Sequence, residues 1–226
     1  MLAAIIVAAG SSRRMGSDKL MAPIAGRTVI GHTLAAFQNC ASVEQIIVVA
    51  REDRLHEFEV LLADRFPKLD RIVAGGDHRQ DSVRAGLNAL GDNSDFVAVH
   101  DAARPLVTPE LIAQVFDAAR ASGAAAAAQP MSDTLKRATA DRLVSAAIDR
   151  EGVYAMQTPQ VFARRVLVEA YERVVADRLR ITDEVSALEH LGAPVVLVPV
   201  LQANFKITYP DDLSLAELVL RRRLGH

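Results

Sequence analysis

The chain has 226 residues, of which 50% are hydrophobic and 24% charged, and a formal net charge of −2. This length supplies one substantial core with at most a small appendage, and the near-neutral balance gives no basic footprint for nucleic acid. One cysteine, Cys40, excludes an intramolecular disulfide and a cysteine metal cage. No apolar run approaches the ~20 residues of a membrane span and no basic segment precedes the first apolar stretch as in a signal peptide, so a reducing cytoplasm is the expected location.

Residues 2–8 form an apolar run that reads as a buried parallel strand. It stops at Ala8, Ala9 and Gly10, and a small-residue loop with Ser11, Arg13 and Arg14 leads to Lys19. Backbone amides combined with Arg and Lys suit a polyphosphate. The loop is not a Walker A motif, because five residues separate Gly10 from Gly16 and Ser17 stands where Lys is required; a dinucleotide G-x-G-x-x-G is also absent. The spacing predicts a helix over 29–38, with Ile30, Thr33, Leu34 and Phe37 on one side, then a strand over 45–50. A helix over 54–65 with Leu55, Phe58, Leu61 and Leu62 inward, a short strand over 71–74 ending at Gly75-Gly76, a helix over 81–90 and a strand over 96–100 follow. A helix is expected over 109–121, with Pro109 at its start and Gly123 just past its end.

Alanine favours helix, but Gly123 and Pro130 leave residues 124–129 too little room, so this run reads as a buried strand. Residues 134–157 break the rhythm as short strands joined by polar turns at Ala140-Asp141 and Glu151-Gly152. Such an excursion needs a partner, either its own domain or a second subunit. A strand over 195–200 and a closing helix over 213–222 complete the chain. The alternation predicts an α/β fold with a Rossmann-like, doubly wound, mostly parallel sheet. From it protrudes a β-arm, in the sharper reading used for dimerisation.

In open α/β sheets ligands sit at the carboxyl ends of the strands. Four segments place chemistry there: Arg13, Arg14 and Lys19; Gly75, Gly76, Asp77, Arg79 and Ser82; Asp101 to Pro105; and Asn204 with Lys206. Asp101 at a strand end is a sensible Mg²⁺ ligand, since Mg²⁺ takes one or two carboxylates plus substrate phosphates. Its alternative is a helix cap or an ion pair with Arg104. His100 reads as a satisfied buried histidine, because phosphoryl transfer to a phosphate needs no strong base.

The motifs VAAG-SSRRMG-SDK, GGDHRQDSV, VHDAARP, DTLKR, QTPQVF, TDEVSALE and NFKITYPDDL stand in this order along the chain. In that set the sequence resembles the 2-C-methyl-D-erythritol 4-phosphate cytidylyltransferase family over essentially its whole length. The resemblance implies one nucleotidyltransferase domain over 1–226, with a dimerisation arm at about 134–157. It implies transfer of CMP from CTP to the phosphate of methylerythritol phosphate, with Mg²⁺ or another divalent cation, in non-mevalonate isoprenoid precursor biosynthesis. It implies a homodimer with exchanged arms; on composition, neither nucleic acid nor membrane is expected as partner.

Position by position, the resemblance gives Arg14 and Lys19 as cations acting on charge at the α-phosphate. Ala8, Ala9, Gly10 and Ser11, with Gly76, Asp77, Ser82 and Ala102, would bind the nucleotide. Asp101 would be the metal ligand and Arg104 would lie near the substrate. Thr134 and Arg150 of the arm would reach the partner subunit's substrate phosphate, with Arg150 counted among the catalytic groups. Thr158, Thr182 and Lys206 would position substrate, Lys206 also as a catalytic group. Taken singly, Thr158 before Pro159 also reads as a turn former, Thr182 as a helix cap and Arg150 as a solvated charge. The stretch Val200–Ala203 lacks the glycine and small or acidic residue often found there in the family, so no second acidic metal ligand is expected in it. Rival readings are a ribitol 5-phosphate cytidylyltransferase, a molybdopterin guanylyltransferase, against which the arm argues, and a nucleotide sensor, which has no need of transition-state cations.

Overall fold

Leu2–Val7 (β1) is buried on both sides: Leu2, Ala4 and Ile6 enter one hydrophobic core, and Ala3 and Ile5 the other. That is the pattern of a central strand covered on both faces. The structure, a computed structural model, describes residues 1–10, 15, 18–62, 65–91 and 93–225. After β1 comes a small hairpin, Pro23–Ile24 (β2) and Arg27–Thr28 (β3), which turns through Ala25 and Gly26, both at positive φ. Thr28 then caps helix Val29–Asn39 (α1) by accepting from the Gly31 N–H. Val43–Ala50 (β4), Leu55–Leu62 (α2), Leu69–Ala74 (β5), Arg79–Ala89 (α3), Phe96–Asp101 (β6) and Pro109–Ser122 (α4) follow within a few residues of their expected positions. Gly123 ends α4 at φ 89°, the left-handed conformation that glycine adopts without strain.

The alanine run is a strand, Ala124–Pro130 (β7), with Ala124 to Ala128 fully enclosed. Its place between two other strands, under cores on both faces, overrides alanine's helical propensity. The arm is the two-stranded hairpin Leu135–Ala138 (β8) and Val144–Ile148 (β9), with turns where expected.

One boundary requires correction. Residues from Tyr154 onward do not belong to the arm; they begin a ten-residue strand, Tyr154–Ala163 (β10), that enters the main sheet. Gln157, Thr158, Pro159 and Gln160 hide this strand from an apolar pattern. The polar three are buried because they bond inside the protein: Gln157 to Gln129, Thr158 to His100 and Gln160 to Asp183. Helices Arg164–Ala176 (α5) and Glu184–Leu191 (α6), strand Val196–Pro199 (β11) and helix Asp211–Leu224 (α7) complete the chain.

The main sheet has seven strands in the order β11-β7-β10-β6-β1-β4-β5. All pairings are parallel except those of β10, which runs against both β6 and β7. Helices α1, α2, α4 and α7 cover one face, and α3, α5 and α6 the other. The result is the expected doubly wound α/β sheet with one reversed strand. Six carboxyl ends share an edge, and the reversed β10 brings its first residues to the same edge. From β1 the chain goes outward to β4 and β5 and then returns to β6 on the other side of β1, which opens a crevice at the carboxyl end of β1.

Candidate active site

A cleft of about 650 Å³ opens at that point, within the size range of small-molecule sites. Its floor is the end of β1: Val7, Ala8, Ala9 and Gly10 line it, and the Ala8 N–H donates to the Val49 carbonyl at 2.7 Å. The end of β5 and the start of α3 form one wall with Gly76, Asp77, His78, Arg79 and Ser82. Close packing explains the glycine pair. A Cβ on Gly75 would lie 2.6 Å from Ser82 Oγ and 2.8 Å from Ala9 Cβ, so this turn can meet the β1 loop only without side chains. Lys19, Asp101, Ala103, Lys206 and Thr208 line the remainder. The Lys19 ammonium donates to the Ile207 carbonyl at 2.9 Å, which ties the first loop to the late one.

Asp101 is the electrostatic centre. Its carboxylate accepts from Arg79 Nη1 at 2.5 Å, lies 3.0 Å from Lys206 Nζ and 3.4 Å from Arg104 Nε. Burial pushes this carboxyl up, but Arg79, Lys206 and Arg104 more than reverse that and hold it well below the usual carboxylate range. Burial pulls the Arg79 guanidinium down, whereas Glu184 and Asp101 raise it above the ordinary arginine value. Arg79 Nη2 donates to Glu184 at 2.8 Å; that carboxyl is fully enclosed and pushed up by burial, with Arg79 opposing.

His100 is enclosed between Thr158 and Arg104. Thr158 Oγ1 lies 3.0 Å from His100 Nδ1 and accepts from the Asp101 N–H, while His100 Nε2 faces the Arg104 carbonyl at 3.3 Å. This network assigns the Nε2–H tautomer, with Nδ1 accepting from the threonine hydroxyl. Burial lowers the His100 pKa to about 3, so the ring is neutral and structural, as expected.

The structure thus gathers Ala8, Ala9, Gly10, Lys19, Gly76, Asp77, Ser82, Asp101 and Lys206 around one cleft. Arg104 meets the same carboxylate and is anchored on the Asn204 carbonyl at 2.9 Å. Five other candidate residues do not line this chain's cleft. Ala102 is buried, its carbonyl accepting from Thr33, and Ala103 takes its place at the cleft. Thr158 is buried, with its hydroxyl used at the end of β6 rather than turned to the cleft. Thr182 is exposed beside the start of α6, whose cap is Asp183. Thr134 and Arg150 sit exposed on the arm and do not line their own chain's cleft; the Arg150 guanidinium bonds to the Ser132 carbonyl. Arg14 and Ser11, with Arg13, Gly16 and Ser17, lie outside the described residues.

The chain matches the family described as "2-C-methyl-D-erythritol 4-phosphate cytidylyltransferase" over residues 2–222. It is 42% identical over 230 residues to a protein of that name from Syntrophus aciditrophicus, covering 98% of this chain and 97% of the relative. The chain belongs to the 2-C-methyl-D-erythritol 4-phosphate cytidylyltransferase family. Two solved structures agree. A 4-diphosphocytidyl-2C-methyl-D-erythritol synthase from Anaerococcus prevotii superposes with TM-score 0.86 at 30% identity, covering 98% of this chain and 96% of that one. The cytidylyltransferase from Thermus thermophilus superposes with TM-score 0.81 at 33% identity, covering 98% and 100%.

In this cytidylyltransferase chain, sequence reasoning had put Arg79 at the right edge without a role. It had missed His78, Thr208 and Glu184 altogether. Glu184 followed a cap-like Thr-Asp pair, a signal of a helix start and not of a buried carboxylate.

Proposed function

We propose that the cleft transfers CMP from CTP to the phosphate of 2-C-methyl-D-erythritol 4-phosphate. The products are 4-diphosphocytidyl-2-C-methyl-D-erythritol and pyrophosphate, in non-mevalonate isoprenoid precursor biosynthesis. The observation that carries this reading is the convergence of Lys19, Arg79, Asp101 and Lys206 on one cleft at the β1 switch point of a chain that matches the family from end to end.

A phosphate oxygen of the acceptor attacks the α-phosphorus, and the bond to the bridging oxygen of pyrophosphate breaks. The attacking phosphate is already ionised near neutral pH, so positioning and charge stabilisation carry the catalysis. Lys19 and Lys206 supply positive charge in a partly enclosed site where negative charge builds up. Ala8 to Gly10, Gly76, Asp77 and Ser82 shape the wall that takes the nucleoside.

Among the described residues no three His, Cys, Asp or Glu side chains gather into a metal site of their own. Asp101 nevertheless fits as a single protein ligand: its three donors leave one of the roughly four lone-pair directions of a carboxylate. Asp101 would hold a Mg²⁺ ion there, and the ion would supply charge neutralisation for the nucleotide's phosphates.

The arm completes the reading. Leu143 and Val144 are 68% and 69% exposed on a two-stranded hairpin with no core of its own, and such a hairpin is stable only when packed on something. A two-fold homodimer covers it and brings Thr134 and Arg150 to the partner subunit's substrate phosphate. No helix among the described residues is long and apolar enough to cross a membrane, and the enzyme is assigned to the cytoplasm, where CTP is available.

The test is incubation with CTP, Mg²⁺ and either methylerythritol 4-phosphate or ribitol 5-phosphate, with pyrophosphate release measured. Release with the first and far less with the second is expected. A preference for ribitol 5-phosphate overturns the substrate assignment.

A further inference from the structure

Of the three cations on Asp101, two are anchored from behind. Arg104 is held by the Asn204 carbonyl at 2.9 Å, and Asn204 is in turn bonded to Gln157 and to the Thr158 carbonyl. Arg79 is held by Glu184 at 2.8 Å. Lys206 is the most exposed of the three, its side chain 39% accessible against 22% for Arg79 and 11% for Arg104. Lys206 is therefore the cation that can leave Asp101 for an incoming phosphate.

Glu184 is placed with care for a residue that never reaches the cleft. It is the first residue of α6 and fully enclosed, at a helix end that favours negative charge. Tyr171 Oη donates to its Oε1 at 3.1 Å, leaving Oε2 for Arg79. The start of α6 is itself pinned to β10, since Gln160 donates to Asp183 and accepts from the Val185 N–H. Arg79 thus spends both ends of its fork on two carboxylates from distant elements, while its Nε is buried without a partner among the described residues. Two charged contacts fix the plane of a guanidinium in a way that a flexible ammonium cannot match.

We propose that Glu184 is a positioning residue: it locks the Arg79 guanidinium so that Asp101 keeps its place and its charge compensation when Lys206 turns to the substrate's phosphate. This deepens, and rests on, the cytidylyl-transfer reading. Kinetics of Glu184→Gln, Arg79→Lys and the double variant test it. Glu184→Gln should lower kcat on the order of 10²-fold, as small misplacements of reacting groups do. KM for CTP should move by less than about threefold, because the nucleoside wall is untouched. In the Arg79→Lys background, where the two-carboxylate bridge is already lost, Glu184→Gln should add no more than about threefold. Losses that multiply, or a Glu184→Gln enzyme with wild-type kcat, overturn the proposal.

A measurement on the wild-type protein decides the matter even if the variants fold poorly. The Arg79 guanidinium protons, assigned by through-bond correlations in isotope-labelled wild-type protein, should give separate NMR signals that CTP leaves in place, while the Lys206 ammonium signal shifts. Averaging or displacement of the Arg79 signals on adding CTP overturns the proposal. A wild-type chain that releases no pyrophosphate from CTP instead overturns the functional reading beneath it.

Discussion

Acidification should destabilise this protein through His100. The ring is fully buried, and its pKa falls from 6.5 in the unfolded chain to about 3 in the fold. Between those values the unfolded chain binds a proton that the native state refuses, so stability is fully present above the unfolded pKa and is lost as pH falls below it. Each pH unit in that window is worth about 1.4 kcal/mol, which makes the loss about 2 kcal/mol on going from neutrality to about pH 5. That is a large part of a typical folding free energy of about 5–15 kcal/mol. Asp101, whose pKa is depressed, has the same sign but acts only below its unfolded value, outside the range from neutrality to about pH 5, whereas Glu184, whose carboxyl is raised by burial, acts with the opposite sign. His32, lowered chiefly by burial, adds a contribution of the same sign. Urea denaturation at a series of pH values is the assay. The wild type should lose stability steadily below about pH 6.5. His100→Gln should be less stable at neutrality, since it gives up the contacts to Thr158 and the Arg104 carbonyl, yet show a shallower slope. A flat profile between neutrality and about pH 5, or an NMR titration placing His100 near its unperturbed value, refutes the argument.

Three further outcomes are expected. Lys19→Ala and, by its motif position, Arg14→Ala should lower kcat by about 10²–10³ with a much smaller effect on CTP binding; a pure KM effect in steady-state kinetics makes them anchors of the triphosphate only. Asp101→Asn should abolish productive Mg²⁺ use and also cost about 3–5 kcal/mol of stability, because it leaves Arg79, Arg104 and Lys206 facing one another without their shared anion; normal activity at low Mg²⁺ together with an unchanged melting temperature refutes both parts. Mixing Arg150→Ala with Lys19→Ala subunits should restore part of the activity, since one site of a mixed dimer collects both defects and the other neither; verified subunit exchange without recovery excludes the crossed arm.

The sequence by itself determined the elements whose burial is periodic. Leu2–Val7, Val43–Ala50 and Phe96–Asp101 alternate between two cores, and α4 carries its own start and stop in Pro109 and Gly123. Because parallel strands end on one edge, those local readings were enough to place Lys19, Gly76, Asp77, Asp101 and Lys206 near one another. Tertiary structure alone decided the antiparallel insertion of β10, whose buried Gln157, Thr158 and Gln160 look like loop residues until their distant partners are known. It also decided that Thr158 and Ala102 turn inward while Ala103 faces the cleft. The contact between Arg79 and Glu184 joins residues 105 apart in the chain. A carboxylate can be fully buried only where such a partner meets it, and no local pattern of residues announces where that partner stands.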